Sequence, residues 1–384
     1  MTWAAASARR LRRHHLTDDR RVGDPATASA DMLGVHAQVL SAAELSIGIR
    51  ADGITRSDVR DALWGRHSLV KARGPRGTVH LLAADDLPMW TGALSAMPAA
   101  SSPFPPEVRL TGGQIDEIVA AIADAVAEPE PDAGLTVDEL TDAIVGRVGG
   151  WAGDRVMEAF QDKWPRWRQA EAVAMNRGAL CFGPDRARRA TYTSPRRLVP
   201  GFRPADPDEA LSALVTRYLR AYGPATAGHF ARWLGAPAGW AAETFDRFAD
   251  RIEPVDFDGV AAWVALGDTK IQEQGYGEVR LLPHFDAYVI GCFPRGALFP
   301  GRAAERALTG GQAGNVPVLL VDGVVAGVWQ QRRSGRRIVV TVEPLVRPTA
   351  QVRRLLDDEV GRIGEILEGR AELKVGTVSV GPHA

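Results

Sequence analysis

The feature that most limits the fold is a succession that occurs three times. Helical periodicity gives way to two short alternating segments joined by a glycine-bearing turn. The first copy contains Thr55-Arg56-Ser57-Asp58-Val59-Arg60-Asp61-Ala62-Leu63-Trp64, an amphipathic helix that Thr55 or Ser57 can cap. Behind it, Leu69-Val70-Lys71-Ala72-Arg73 and Thr78-Val79-His80-Leu81-Leu82 alternate around a Gly-Pro-Arg-Gly centre, the pattern of a β-hairpin. In the second copy Leu135-Thr136-Val137-Asp138-Glu139-Leu140 opens a capped helix. A long helix is then predicted over 151–174, through Trp151, Val156, Met157, Phe160, Trp164 and Trp167. Leu180-Cys181-Phe182 and Thr191-Tyr192-Thr193 follow as a hairpin around Gly183–Arg189. The third copy predicts helices over 210–222, 226–234 and 240–248, then a hairpin, 252–257 with 261–265, around Asp258-Gly259. Helices followed by a hairpin give the winged-helix order.

The flanks read differently. Residues 7–22 predict a short basic helix, and 28–50 look helical at both ends. After residue 278 the signal turns to β, with runs at 279–282, 287–291, 317–321, 324–330 and 338–342. Asp322-Gly323 and Ser334-Gly335 are two-residue turn signals. A helix over 347–369 and a strand over 371–380 close the chain, and 98–106 and 129–133 read as linkers. The prediction is an α+β protein: three tandem winged-helix-like units (1–97, 98–204, 205–277) and a C-terminal β-barrel-like module (278–384).

Composition narrows the function classes. With 384 residues, 45% hydrophobic, the chain is folded and too long for one compact core. Two cysteines, Cys181 and Cys292, exclude a disulfide scaffold, a zinc ribbon and a four-thiolate iron–sulfur cluster. No apolar run reaches 18 residues and the first residues lack the order of a signal peptide, so a cytoplasmic protein without membrane contact is expected. Arginine outnumbers lysine 42 to 4, which fits GC-rich coding, and a Schiff-base mechanism has only Lys71, Lys163, Lys270 and Lys374 to draw on. A net charge of −1 discourages a nucleic-acid partner, yet the charges are segregated. Residues 107–142 carry ten acids against Arg109, while 163–200 carry nine bases against Glu171 and Asp185. Residues 1–21 and 332–337 are basic too, so a polyanion-facing surface and a solvated arginine-rich face both fit.

Five further segments accompany the repeated units. They are Leu33-Gly34-Val35-His36-Ala37-Gln38, Arg76-Gly77-Thr78-Val79-His80, Arg177-Gly178-Ala179-Leu180-Cys181-Phe182-Gly183-Pro184, Arg217-Tyr218-Leu219-Arg220-Ala221-Tyr222-Gly223-Pro224-Ala225-Thr226 and Leu281-Leu282-Pro283-His284-Phe285-Asp286. In this order the chain resembles the AlkZ-like family of winged-helix DNA glycosylases over nearly its whole length. The family's catalytic signature is Gln, an apolar residue, then Gln. Here the triplet is His36-Ala37-Gln38, with His in the first place. The resemblance implies excision of alkylated purines from double-stranded DNA by a monomeric, nucleoid-associated enzyme in base excision repair. It also implies that His variants protect producers of bulky guanine-alkylating antibiotics. No metal or organic cofactor is implied.

Chemistry gives that triplet a task. Side chains at i and i+2 share a side only where the chain is extended, since an α-helix sets them about 200° apart. The backbone should therefore leave helix here, and Gly34 makes that accessible. A neutral His36 imidazole can take a proton from water while the Gln38 carbonyl holds the same water. An N7-alkylguanine is cationic and leaves without strong acid catalysis, so no catalytic carboxylate is required. Arg73, Arg76, Arg186, Arg188, Arg189, Arg332, Arg333, Arg336 and Arg337 stand at hairpin turns, where they can reach phosphates or a groove. Bland readings stand beside these: a satisfied polar pair for His36 and Gln38, and solvated turns for the arginines. His14-His15 are expected at the surface, His80 and Pro283–Asp286 in structural roles, and Cys181 inert in a strand. The rival function is a non-catalytic winged-helix transcriptional regulator, which would not need His36 and Gln38 to face a shared cleft.

Overall fold

A computed structural model describes residues 1–99, 104–127, 134–158, 162–270 and 277–379. The 129–133 linker, residues 100–103 of the 98–106 linker and Phe160 lie outside the described residues. The chain forms two compact units. One joins Met1–Gly65 to Val215–Ala384, and the other is the continuous stretch Arg66–Leu214. The elements mix helices with antiparallel hairpins and one larger sheet, an α+β protein as predicted.

Turn chemistry sets the hairpins. Phe257 faces Val260, Arg186 faces Arg189 and Val321 faces Val324, leaving two residues in each turn. Both turn residues have positive φ in each case: Asp258 and Gly259 (49° and 81°), Ala187 and Arg188 (50° and 68°), and Asp322 and Gly323 (48° and 80°). That conformation matches the right-handed twist of the strands. The turn predicted at Ser334-Gly335 is displaced by one residue, because Ser334 pairs with Arg337 and Gly335-Arg336 make the turn.

In the continuous unit, a core of Ile118, Ile122, Val126, Leu140, Ile144, Trp167 and Tyr192 is closed over by the helices Gly112–Ala127 and Val137–Val148. Thr136 and Glu139 form the capping box that starts the second of these. The long helix expected over 151–174 does not exist. Gly150–Gly153 is a 3-10 turn, Arg155–Glu158 and Lys163–Pro165 are paired strands, and Arg166–Ala170 and Glu171–Asn176 are short helical pieces. Gly149 holds φ at 106° and Pro165 has no N–H to give a helix, so the apolar periodicity there is carried by other geometry.

In the discontinuous unit, five strands lie in the order Val279–Leu282, Val318–Val321, Val324–Ser334, Arg337–Pro344 and Arg370–Val375. The last pair is parallel, and the Ala350–Ile366 helix makes the crossover. The run 287–291 is a helix rather than the strand expected. Asp286 caps it by accepting from the Tyr288 N–H at 3.0 Å, and a short apolar run fits either state until a cap decides.

The basic N-terminal helix, Trp3–Arg13, is largely interior. The buried Arg10 guanidinium donates to the carbonyls of Tyr222, Pro224 and Phe293, each at 2.9 Å. His14, expected at the surface, is fully buried with its ring edge-on to Tyr222 at 4.8 Å. Its helix turns that side inward, and burial beside Arg50 holds the imidazole well below its usual pKa. His15 pairs with Asp31 at 2.6 Å.

Deeper still, Arg50 and Asp286 form a bidentate pair at 2.8 Å, both without exposed side-chain surface. Ser46 Oγ donates to the same carboxylate at 2.7 Å. Replacing Asp286 by Ala strands the Arg50 charge, and the expected loss is about 3–5 kcal/mol by urea unfolding. A loss below about 1 kcal/mol would show the pair to be dispensable.

Acid should also loosen this unit. His229 Nδ1 accepts from the Thr226 N–H at 3.3 Å, which needs a deprotonated ring nitrogen. Burial, with Arg10, Arg232 and Arg295 nearby, lowers its pKa from 6.5 to about 4. Unfolded chains take up this proton below about pH 6.5 and folded ones do not until about pH 4. Stability from this group is therefore complete above pH 6.5 and declines as pH falls through that window. His229→Gln, which can still cap, should flatten the dependence of the urea midpoint between pH 7 and 5.

Candidate active site

The His36 segment begins at a capped helix. Asp24 accepts from Ala26 N–H at 2.9 Å and Thr27 N–H at 3.0 Å, starting Pro25–Asp31. Two left-handed residues end it, Leu33 at φ 57° and Gly34 at φ 88°. The chain then extends through Val35–His36 and bends at Gln38, and Leu40–Gly48 starts as a helix at Val39. The backbone leaves helix here, as the i, i+2 argument requires. His36 is buried and Gln38 is exposed.

Phe285 provides the wall for His36. Their ring centroids are 4.4 Å apart, tilted by 34°. Phe285 holds φ at 57°, a costly conformation for a bulky side chain. Its neighbours fix it there: its N–H donates to Gly314 O at 2.8 Å, and the next residue is the locked Asp286. The Pro283–Asp286 segment is thus structural in its aspartate and adjacent to the site in its phenylalanine.

The 217–226 motif braces the same loop. Arg217 donates to Ala30 O at 3.0 Å, and Tyr222 Oη donates to Met32 O at 2.6 Å. Tyr218 is buried against Trp233 at 4.8 Å and Phe230 at 5.1 Å.

The hairpin arginines divide into two groups. Arg73 pairs with Glu171 at 2.7 Å, Arg186 with Glu139, and Arg189 with Asp138 at 3.3 Å. Arg177 pairs with Asp116 at 2.7 Å. Arg177, Arg186 and Arg189 of the basic stretch thus meet Asp116, Glu139 and Asp138 of the acidic one in space. Arg186 holds the Glu139 carboxyl down at about 2. Arg76 is half-buried in its turn, at φ 59°. Arg188, Arg332 and Arg336 are exposed. Arg333 donates to Leu367 O at 2.7 Å, and Arg337 pairs with Glu372 at 2.5 Å.

Part of the basic 1–21 stretch joins arginines from the 217–220 segment in a cationic site. A cavity of about 490 Å³ is lined by Arg12, Arg13, His15, Arg217 and Arg220 against Asp31 and Asp268, with Leu33 of the His36 loop in its wall. Arg13 is held by Asp268 at 2.6 Å, and Arg220 is exposed. Arginine pairs at 12–13 and 217–220 were the available signal, but some 200 residues separate them. A second cavity, of about 370 Å³, opens on the other side of the same segment in sequence, lined by Val39, Ala42 and Leu45.

Residues 30–366 match the family described as DNA glycosylase AlkZ-like, and the chain belongs to that family. It is a DNA glycosylase, a hydrolase acting on N-glycosyl bonds in DNA. Over 369 residues it is 29% identical to the interstrand DNA cross-link repair glycosylase of Streptomyces sahachiroi, covering 92% of each protein. It also resembles the solved structure of the Streptomyces sahachiroi DNA glycosylase AlkZ, with a TM-score of 0.78 and 25% identity over 98% of this chain and 100% of that one. Among the described residues no helix is long and apolar enough to cross a membrane.

Removing an arginine that touches phosphate lowers the salt dependence of DNA affinity by about 0.9 in log–log slope. Arg220→Gln should show that drop, whereas Arg186→Gln, already paired with Glu139, should change the slope by less than half as much. Equal changes would contradict the division drawn between free-facing and paired arginines.

Proposed function

We propose that the enzyme excises alkylated purines, bulky N7-alkylguanines in particular, from double-stranded DNA, with His36 and Gln38 handling the attacking water. The observation that carries this is the non-helical His36-Ala37-Gln38 segment, set against Phe285 and bordered by the arginine-lined cavity. In the reaction the C1′–N9 bond breaks and its electron pair goes to the cationic base, which leaves neutral. Water then bonds to the sugar cation at C1′, and His36 takes the proton that water loses. Gln38 orients that water through its carbonyl. The mechanism is monofunctional: none of the four lysines lines the arginine cavity or the one beside Val39.

The protein acts as a monomer at the nucleoid, in base excision repair or in self-resistance to a DNA-alkylating antibiotic. The name of the Streptomyces sahachiroi relative adds interstrand cross-links to the substrates worth presenting. We read the chain as three winged-helix-like units (1–97, 98–204, 205–277) and a β-barrel-like module (278–384). The successive helix–hairpin arrangements support the first part, and the five-stranded sheet supports the second. Arg188, Arg332 and Arg336, exposed at or beside hairpin turns, are DNA contacts, and Arg73, Arg76, Arg186, Arg189 and Arg333 are further contacts from the same hairpins.

The test is base release from duplexes carrying several N7-guanine adducts, one of them a cross-link. His36→Ala and Gln38→Ala should each slow release about 100-fold or more. If wild type releases no base, or both variants keep full activity, this mechanism fails. Tight binding without release favours the regulator.

A further inference from the structure

We propose that the cavity beside the Leu40–Gly48 helix receives the non-base portion of the adduct and sets which lesions are excised. The proposal rests on the excision of alkylated guanine argued above. At about 370 Å³ the cavity has the size of a small-molecule site. Val39, Ala42, Leu45, Pro283, Pro317 and Trp329 give it an apolar stretch of wall, beside polar lining from Ser41, His284, Gln330, Gln331, Arg332 and Ser379. The Trp329 indole N–H is already given to Leu282 O at 2.9 Å, so its ring offers only carbon surface. Val39 remains 38% exposed, an apolar side chain left facing the opening.

Position ties this cavity to the reaction. Val39 follows Gln38, and His284 precedes the Phe285 ring that walls His36. The His284 and Phe285 rings lie 6.1 Å apart. A group attached to the reacting base therefore has an apolar recess within one residue of each half of the site.

The rim adds a polar requirement. Val39 is the N-cap of its helix and supplies no side-chain acceptor to the first turn. That terminus favours an acceptor from outside, with Ser41 and the exposed Arg332 beside it. The ligand that fits is a partly apolar arm bearing a hydrogen-bond acceptor. A bare methyl group would leave the walls without contact.

The experiment measures kcat/KM for two duplexes, one with N7-methylguanine and one with an N7-guanine adduct carrying a planar aromatic arm that contains a carbonyl. Wild type should prefer the armed substrate. Val39→Phe and Ala42→Phe each fill the cavity, one from its exposed edge and one from its buried wall. Each should lower the preference ratio about tenfold, the scale of apolar pocket discrimination. Ser41→Ala should lower it about threefold, as for one neutral hydrogen bond. A ratio unchanged in both filled variants overturns the cavity assignment, including where both rates fall together. Release from neither duplex by wild type overturns the excision reading and this proposal with it. Release from both with an indifferent ratio overturns the cavity alone.

Discussion

The discontinuous unit depends on one buried ion pair. Arg50 closes the first helical segment, and Asp286 opens the β-rich C-terminal portion, 236 residues later. Placing two charges where neither touches water is costly, and good geometry with further hydrogen bonds to the carboxylate offsets that cost. Here the carboxylate receives both terminal guanidinium nitrogens, Nη1 and Nη2, together with Ser46 Oγ and the Tyr288 N–H. A pair so committed admits one arrangement. Phe285, one residue before the aspartate, inherits that fixity, and His36 lies against it. The His36 segment is thus shaped from its own side by Leu33 and Gly34 and from across the unit by the ion pair.

Much of this was legible in the chain. The two-residue turns at Asp258-Gly259 and Asp322-Gly323 stand where their residue types demand. Thr55, Thr136 and Thr226 each begin a helix with a capping box. Other features were hidden for physical reasons. Trp151, Met157 and Trp167 have the spacing of a helix, but Gly149 and Pro165 override it, and packing settles the rest. Ala287–Gly291 is too short for periodicity to distinguish its state. His14 looked like a surface residue because it sits among arginines, yet Arg10 beside it is buried by carbonyl acceptors from positions 222, 224 and 293.

Charge was the least faithful guide. The separation of the acids of 107–142 from the bases of 163–200 hinted at a polyanion-facing surface, but Arg177, Arg186 and Arg189 meet Asp116, Glu139 and Asp138. Segregation along a chain and segregation in space are different quantities. The arginine-lined cavity beside Leu33 comes instead from residues scattered at 12–13 and 217–220. The His36 segment was found by its resemblance, and Gly34 supported it. The wall that Phe285 gives it had no local signal, since its left-handed backbone is imposed by partners distant in the chain.

The interrupted unit carries a consequence for synthesis. Residues Arg66–Leu214 are continuous and can close their core as soon as they leave the ribosome. The Met1–Gly65 segment emerges earlier yet must wait for Val215–Ala384. His36 is therefore among the first parts of the molecule to be made and among the last to be positioned. A nascent chain halted before Phe285 carries the His36-Ala37-Gln38 segment without the Phe285 ring that packs against it and the ion pair that fixes that ring.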